Sequence, residues 1–415
     1  MISFKSLILL SVPMFIYADT LGEFIVHSKV NNDLVVSKEF TQKSKSKSLD
    51  SSESLYFPTI DVGAFYKRDD EPTPMQAGDT YSAYAKISYD IYDGGRRSSS
   101  VDSAKNDLKS SSHDTAATKK SIALQITQEF FNIKSAEANL QARQEAQKSL
   151  KAQLHRVQKF YEAKVATKDD VDRLQSAYDT NIYDMESIKF KILSLKKSLE
   201  LKIGKSVDVL NDSSFVKEDL NAYDTLDSTK SLIAKQMSIR DSSNAIDSAY
   251  YPNIRIEDTY SLYGYGREDA FATQMGAEPL ENQNKLMLTL NMRLFDYGQI
   301  GKTQEAILLG SKALGAQISY QNKEQKIQYE LSKARIETSR LKIKSANSAL
   351  VSASSAFDTV EKKYDAGIVD YVVYLDGLSK KTSAKSLYES SLNDLEVAYA
   401  IYYFYSGKNI EEFLK

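Results

Sequence analysis

The chain has no cysteine, no tryptophan and only six prolines among its 415 residues. Without cysteine, disulfides, thiolate metal sites and a Cys-linked lipid anchor are all excluded. The prolines lie in the N-terminal leader or near segments that alternate like strands, and neither Gly nor Pro occurs from Arg96 to Ile203. An interval that long without a breaker suits a helix well beyond ordinary length. Charge of one sign is missing too: 54 basic and 56 acidic residues leave −2, which excludes the basic excess of a nucleic-acid binder. The histidines, His27, His113 and His155, fall on separate segments without metal-ligand spacing. With no nucleophile elbow and no Gly-rich phosphate loop, the sequence predicts neither an enzyme nor a cofactor.

What is present begins with a leader. Met1–Lys5 carries one basic residue, Leu7–Tyr17 is apolar, and Ala18 is small, so residues 1–18 read as a secretory signal peptide. That apolar run is too short to cross a bilayer as a helix.

The rest is written twice. Ile91-Tyr92-Asp93-Gly94-Gly95-Arg96 recurs as Leu294-Phe295-Asp296-Tyr297-Gly298-Gln299, and each copy ends an alternating segment and opens a helical one. Asp93/Asp296, Tyr161/Tyr364, Ala163/Ala366, Gly204/Gly407 and Lys205/Lys408 are all 203 residues apart. The chain reads as a tandem strand–strand–helix–helix unit. The first repeat covers 19–212, with a membrane hairpin at about 56–92 and a coiled-coil hairpin at about 98–203. The second covers 213–415, with a hairpin at about 251–296 and a coiled coil at about 302–406.

Four segments alternate with period two. Tyr81, Ala83, Ala85, Ile87, Tyr89 and Ile91 face one way, with Ser82, Tyr84, Lys86, Ser88 and Asp90 opposite. Ile60–Tyr66 and Lys285–Leu294 behave likewise, and Ile254–Leu262 is a weaker fourth case containing Asp258. Each stretch has the length of a tilted membrane strand. A soluble sheet would need apolar helix surface to cover it, and the helical segments are poor in large apolar residues. Tyrosines cluster near the strand ends, as in an interfacial girdle. Four strands cannot close a barrel and open edges are not tolerated in lipid, so the chain must oligomerise; three copies supply twelve strands.

The helical segment from about Ser98 to Ala163 carries Ile122, Ile126, Phe130, Ile133 and Leu140 on one face. At 1.5 Å per residue it is roughly 100 Å long. The return helix, about Asp169–Ile203, covers only half of it. Leu21–Ser54 and, in the second copy, Leu226–Ala249 are expected to be helices that complete the partner. Ser206–Asp224 and Asn409–Lys415 are expected to form a belt at mid-height.

Leu55-Tyr56-Phe57-Pro58, Asp93-Gly94-Gly95-Arg96, Ala166–Val171, Ala177-Tyr178-Asp179, Tyr364–Gly367 and Tyr374–Leu378 together resemble the TolC-type bacterial outer membrane efflux proteins. The resemblance spans essentially the whole mature chain. It implies an all-α plus membrane β-barrel fold: a homotrimer whose 12-stranded barrel continues into an α-helical tunnel. It implies an outer membrane channel reaching into the periplasm and contacting outer membrane lipid. Such a channel serves tripartite efflux or type I secretion, with a periplasmic adaptor and an inner-membrane transporter as partners. The alternative is a periplasm-spanning coiled-coil adaptor or structural protein without a pore. Asp169 and Asp170 follow the first turn and Asp376 the second, so three-fold repetition would make them carboxylate rings at the periplasmic tip; by the resemblance Asp170 and Asp376 match the family's acidic rings and Tyr364 its polar latch. Asp93, Gly94, Gly95, Asp296 and Gly298 mark the strand-to-helix junctions. Asp169 and Asp170 also suit a helix N-terminus on dipole grounds alone. Val373 and Val369 depart from the family pattern, where an acidic residue and an arginine are common.

Overall fold

The computed structural model describes residues 20–71, 77–220, 222–266 and 280–415. The expected signal peptide, residue 221 of the belt and parts of both strand-joining loops lie outside them. In chain order the elements are α1 (Leu21–Asn31), α2 (Asp33–Ser54), β1 (Thr59–Arg68), β2 (Asp79–Tyr92), α3 (Arg96–Glu162), α4 (Lys168–Ile203), α5 (Asp227–Asp247), β3 (Asn253–Gly266), β4 (Asn282–Asn291), α6 (Gln299–Asp365) and α7 (Tyr371–Tyr405). Both α3 and α6 run for 67 residues, and their return helices for 36 and 35. No helix among the described residues is long and apolar enough to cross a membrane.

Contacts divide the chain into two compact units. One, formed by 39–115 and 227–322, contains the sheet. Its four strands are antiparallel in the order β1-β2-β3-β4. The register carries Ile60 opposite Ile87, Ile87 opposite Asp258, and Asp258 opposite Leu286, so one face is largely apolar, interrupted by Asp258 and, toward the strand-joining loops, by Asn282, Asn284, Arg68 and Asp79. That face is bare: Val62 is 81% and Leu286 69% exposed. No strand residue joins a buried apolar cluster among the described residues. A soluble sheet buries its apolar face; this one presents it outward. The opposite face carries Asp61, Lys86, Thr259 and Lys285 in one row.

The ends of several elements differ from the sequence expectation for local reasons. β4 stops at Asn291, not Leu294, because its partner β3 begins at Asn253, after Pro252, which cannot donate to a ladder. α3 begins at Arg96 rather than Ser98, since the Asp93 carboxylate accepts from Gly95 and Arg97 N–H at 3.2 and 3.0 Å. The helix expected over 21–54 is broken at Asn32. Its Oδ1 accepts from Leu34 and Val35 N–H at 2.9 and 3.3 Å, and its Nδ2 donates to the Lys202 carbonyl at 2.8 Å.

The second unit, formed by described residues 20–38, 116–226 and 323–415, holds the main core. Phe24, Phe130, Phe215, Tyr402 and Tyr403 are fully buried there. Burying one such side chain contributes about 1.5–3 kcal/mol. An extended segment and the C-terminus cross these helices as a belt. Val216 N–H donates to the Phe413 carbonyl at 2.7 Å, and Lys415 N–H to that of Ser214 at 2.9 Å. Phenol oxygens hold the belt to α7: Glu218 and Leu220 N–H donate to Tyr403 and Tyr402 Oη at 3.1 and 2.7 Å.

Candidate functional site

The candidate site is the pair of tight turns that close the two long helical hairpins. Sequence sets their shape. Lys164 (φ 61°) and Gly367 (φ 71°), again 203 residues apart, each adopt the left-handed conformation that reverses the chain. Thr167 then opens α4 in a reciprocal cap: Asp170 N–H donates to Thr167 Oγ1 at 3.2 Å, and Thr167 N–H to Asp170 Oδ2 at 2.8 Å. Asp370 opens α7, accepting from Val372 and Val373 N–H at 3.1 Å.

The four residues expected at the tip have different surroundings. The Asp170 carboxylate is engaged in its cap. Asp169 is exposed, accepts from Arg173 Nε at 2.9 Å, and receives the Tyr371 hydroxyl of the other hairpin at 3.4 Å. Asp376 is exposed and paired within its own helix to Lys380 at 2.7 Å. Tyr364 is half-buried against Tyr374, ring centres 4.9 Å apart, and Tyr374 in turn packs on Phe357. Burial pushes the Tyr364 phenol upward, and pushes that of Tyr374 up to about 12. Both stay neutral across the physiological range.

The structure adds two residues that the sequence did not single out. Arg156, on α3, donates through Nη1 to the Asp365 carboxylate at the end of α6, and through Nη2 to the Asp365 carbonyl at 3.1 Å. The same guanidinium lies 5.9 Å from the Tyr364 ring centre. The first hairpin is thereby tied to the second at its tip. Val369 is not an arginine, but the Arg156 guanidinium reaches Asp365 and the Tyr364 ring from the opposite hairpin. The signal available was asymmetry between the copies, for the position equivalent to Arg156 is the neutral Thr359. Asp365 has Glu162 as its counterpart, so nothing in the repeat distinguished it.

Two long helical hairpins that carry a small antiparallel sheet are a fold also found in solved outer membrane channels. The structure superposes on the Campylobacter jejuni CmeC outer membrane channel with a TM-score of 0.81 at 15% identity, covering 94% of this chain and 86% of that one. On the Vibrio cholerae outer membrane protein VceC the TM-score is 0.79 at 11% identity, covering 94% and 96%. For the open state of the Neisseria gonorrhoeae MtrE channel it is 0.75 at 14%, covering 94% and 89%. At such identities these likenesses concern the fold. In sequence, residues 25–181 match the family described as "Outer membrane efflux protein". The chain is 22% identical over 302 residues to the outer membrane protein TolC of Vibrio cholerae, spanning 68% of this chain and 66% of that relative. In sequence the chain is thus similar to outer membrane efflux proteins, and in fold to solved outer membrane channels.

Proposed function

We propose that the chain is the outer membrane channel of a tripartite efflux or type I secretion system. Three copies close a 12-stranded barrel in the outer membrane, continued into the periplasm by a helical tunnel. It conducts passively, without catalysis. A periplasmic adaptor and an inner-membrane transporter engage it and open its tip. The observation that carries this reading is the bare apolar face of a four-stranded sheet whose outer strands, β1 and β4, have unpaired edges. In lipid such edges must be paired, and pairing them with further copies closes a tube.

At the tip, three-fold repetition turns Asp169 and Asp376 into carboxylate rings that favour cations. Asp170 contributes chiefly as the cap of α4, and its ring charge is secondary. Arg156 and Asp365, with Tyr364 stacked beside them, hold the two hairpins of one protomer together, so the tip opens when that pair parts. The pair is part-exposed, worth about 0.2–1 kcal/mol per protomer. A gate held this weakly is suited to being opened by a partner.

The test is conductance in planar bilayers. Wild-type protein is expected to give small, cation-selective steps blocked by divalent ions. Arg156→Ala is expected to raise the step size several-fold, and Asp376→Asn to weaken the divalent block. Protein that inserts but never conducts, in wild type and Arg156→Ala alike, contradicts the channel and favours a coiled-coil adaptor without a pore.

A further inference from the structure

The two strand-to-helix junctions do the same backbone work with different side chains. At the second, Asp296 accepts from Gly298 and Ile300 N–H at 2.9 Å each, just as Asp93 caps α3 through Gly95 and Arg97. The caps are complete in both copies. Only the first adds a guanidinium, Arg97, where the second has Ile300.

Arg97 is only 6% exposed. Its Nε donates to Asp93 Oδ2 at 2.9 Å, and its guanidinium carbon lies 5.0 and 5.7 Å from the ring centres of Tyr56 and Tyr89. Nη1 is buried and donates to nothing among the described residues. A buried cationic donor without an acceptor is costly. The turn does not need it, because Ile300 is accommodated at the equivalent place.

Location and chemistry together indicate the missing acceptor. Tyr89 lies in the outward row Tyr89–Ile256–Leu288, so the guanidinium it covers is on the apolar side of the sheet. Around the strand base the rings of Phe57, Tyr92 and Tyr251 are exposed. Exposed aromatic rings at this position mark the level where hydrocarbon gives way to headgroups. A planar guanidinium at that depth is matched to a phosphate oxyanion. Tyr56, whose ring centre is 5.0 Å from the guanidinium carbon, is itself exposed, and this is the side from which a phosphate would reach the guanidinium.

We propose that Arg97, between Tyr56 and Tyr89, binds the headgroup phosphate of a phospholipid in the periplasmic leaflet, one per protomer. This rests on reading the strands as membrane-spanning. The test is native mass spectrometry of the full-length protein released from detergent, combined with thermal unfolding. Wild type is expected to retain one phospholipid per chain, Arg97→Ile to lose it while keeping its oligomeric state, and Arg97→Lys to release it more readily. Added phosphatidylglycerol is expected to raise the thermal midpoint of wild type, whereas diacylglycerol and inorganic phosphate leave it unchanged. Equal retention by wild type and Arg97→Ile, no retained phospholipid in wild type, or equal stabilisation by inorganic phosphate would overturn the proposal. If Arg97→Ile does not fold, Arg97→Lys decides, and unchanged retention there counts against the site. Lipid retained by chains that never form a pore would overturn the channel reading alone; a pore whose Arg97→Ile variant keeps its lipid would overturn this site alone.

Discussion

Asp107 is a residue whose role only the structure reveals. It accepts from Lys45 Nζ at 3.0 Å, Lys235 Nζ at 2.8 Å and the Ser238 hydroxyl at 2.6 Å, joining α2 and α5 to α3. Burial alone would raise its carboxyl, but these three donors outweigh it and hold the group below the ordinary carboxylate range. A carboxylate lowered in the fold stabilises above its unfolded value and loses that contribution as pH falls through the folded one. The network therefore holds at neutral pH and fails only below about pH 4. Asp107→Asn is expected to cost about 1–3 kcal/mol at pH 7 and to flatten the acid limb of the stability profile, measured by denaturant titration at several pH values. Single residues were legible in the sequence where the repeat wrote them twice, as with Asp93 and Asp296. Asp107 and Arg156 were not, because their partners lie dozens to hundreds of positions away and their counterparts, Gly310 and Thr359, do not share the chemistry; Arg97 has Asp93 close in sequence, but its counterpart Ile300 hid it from the repeat.

At the scale of elements, periodicity and missing breakers located the helices, and side-chain caps moved their ends. Asp93 extended α3 backward, and Asn32 split the N-terminal helix because its amide serves three backbone groups at once. The junction glycines are unequal. A Cβ on Gly94 (φ 68°) would lie 2.7 Å from the Ser248 carbonyl oxygen, whereas one on Gly95 (φ 86°) would meet nothing within 4 Å. Gly94→Ala is accordingly expected to cost about 2 kcal/mol or more, and Gly95→Ala about 1 kcal/mol, by equilibrium unfolding. The second copy puts Tyr297 (φ 55°) where the first has Gly94. Tyr297→Gly is expected to relieve about 1 kcal/mol of strain there, and a loss of stability would show that the exposed ring contributes more than the backbone costs.

At the scale of the molecule, alternation in four short segments showed which way the sheet faces, and the bare side chains of Ile60 and Val62 on β1 and of Leu286 and Leu288 on β4 agree with it. The weak fourth strand was legible too, as Asp258 sits in the apolar face and its Oδ1 is buried without a hydrogen-bond partner. What one chain cannot encode locally is closure, since in the proposed trimer β1 and β4 would find their partners on other copies. The absence of cysteine makes this directly measurable. With Val62→Cys on β1 and Leu288→Cys on β4, thiol crosslinkers of graded length applied to outer membranes should give a ladder that ends at three chains. A ladder that stops at two, runs past three, or never forms would contradict a barrel closed by three protomers.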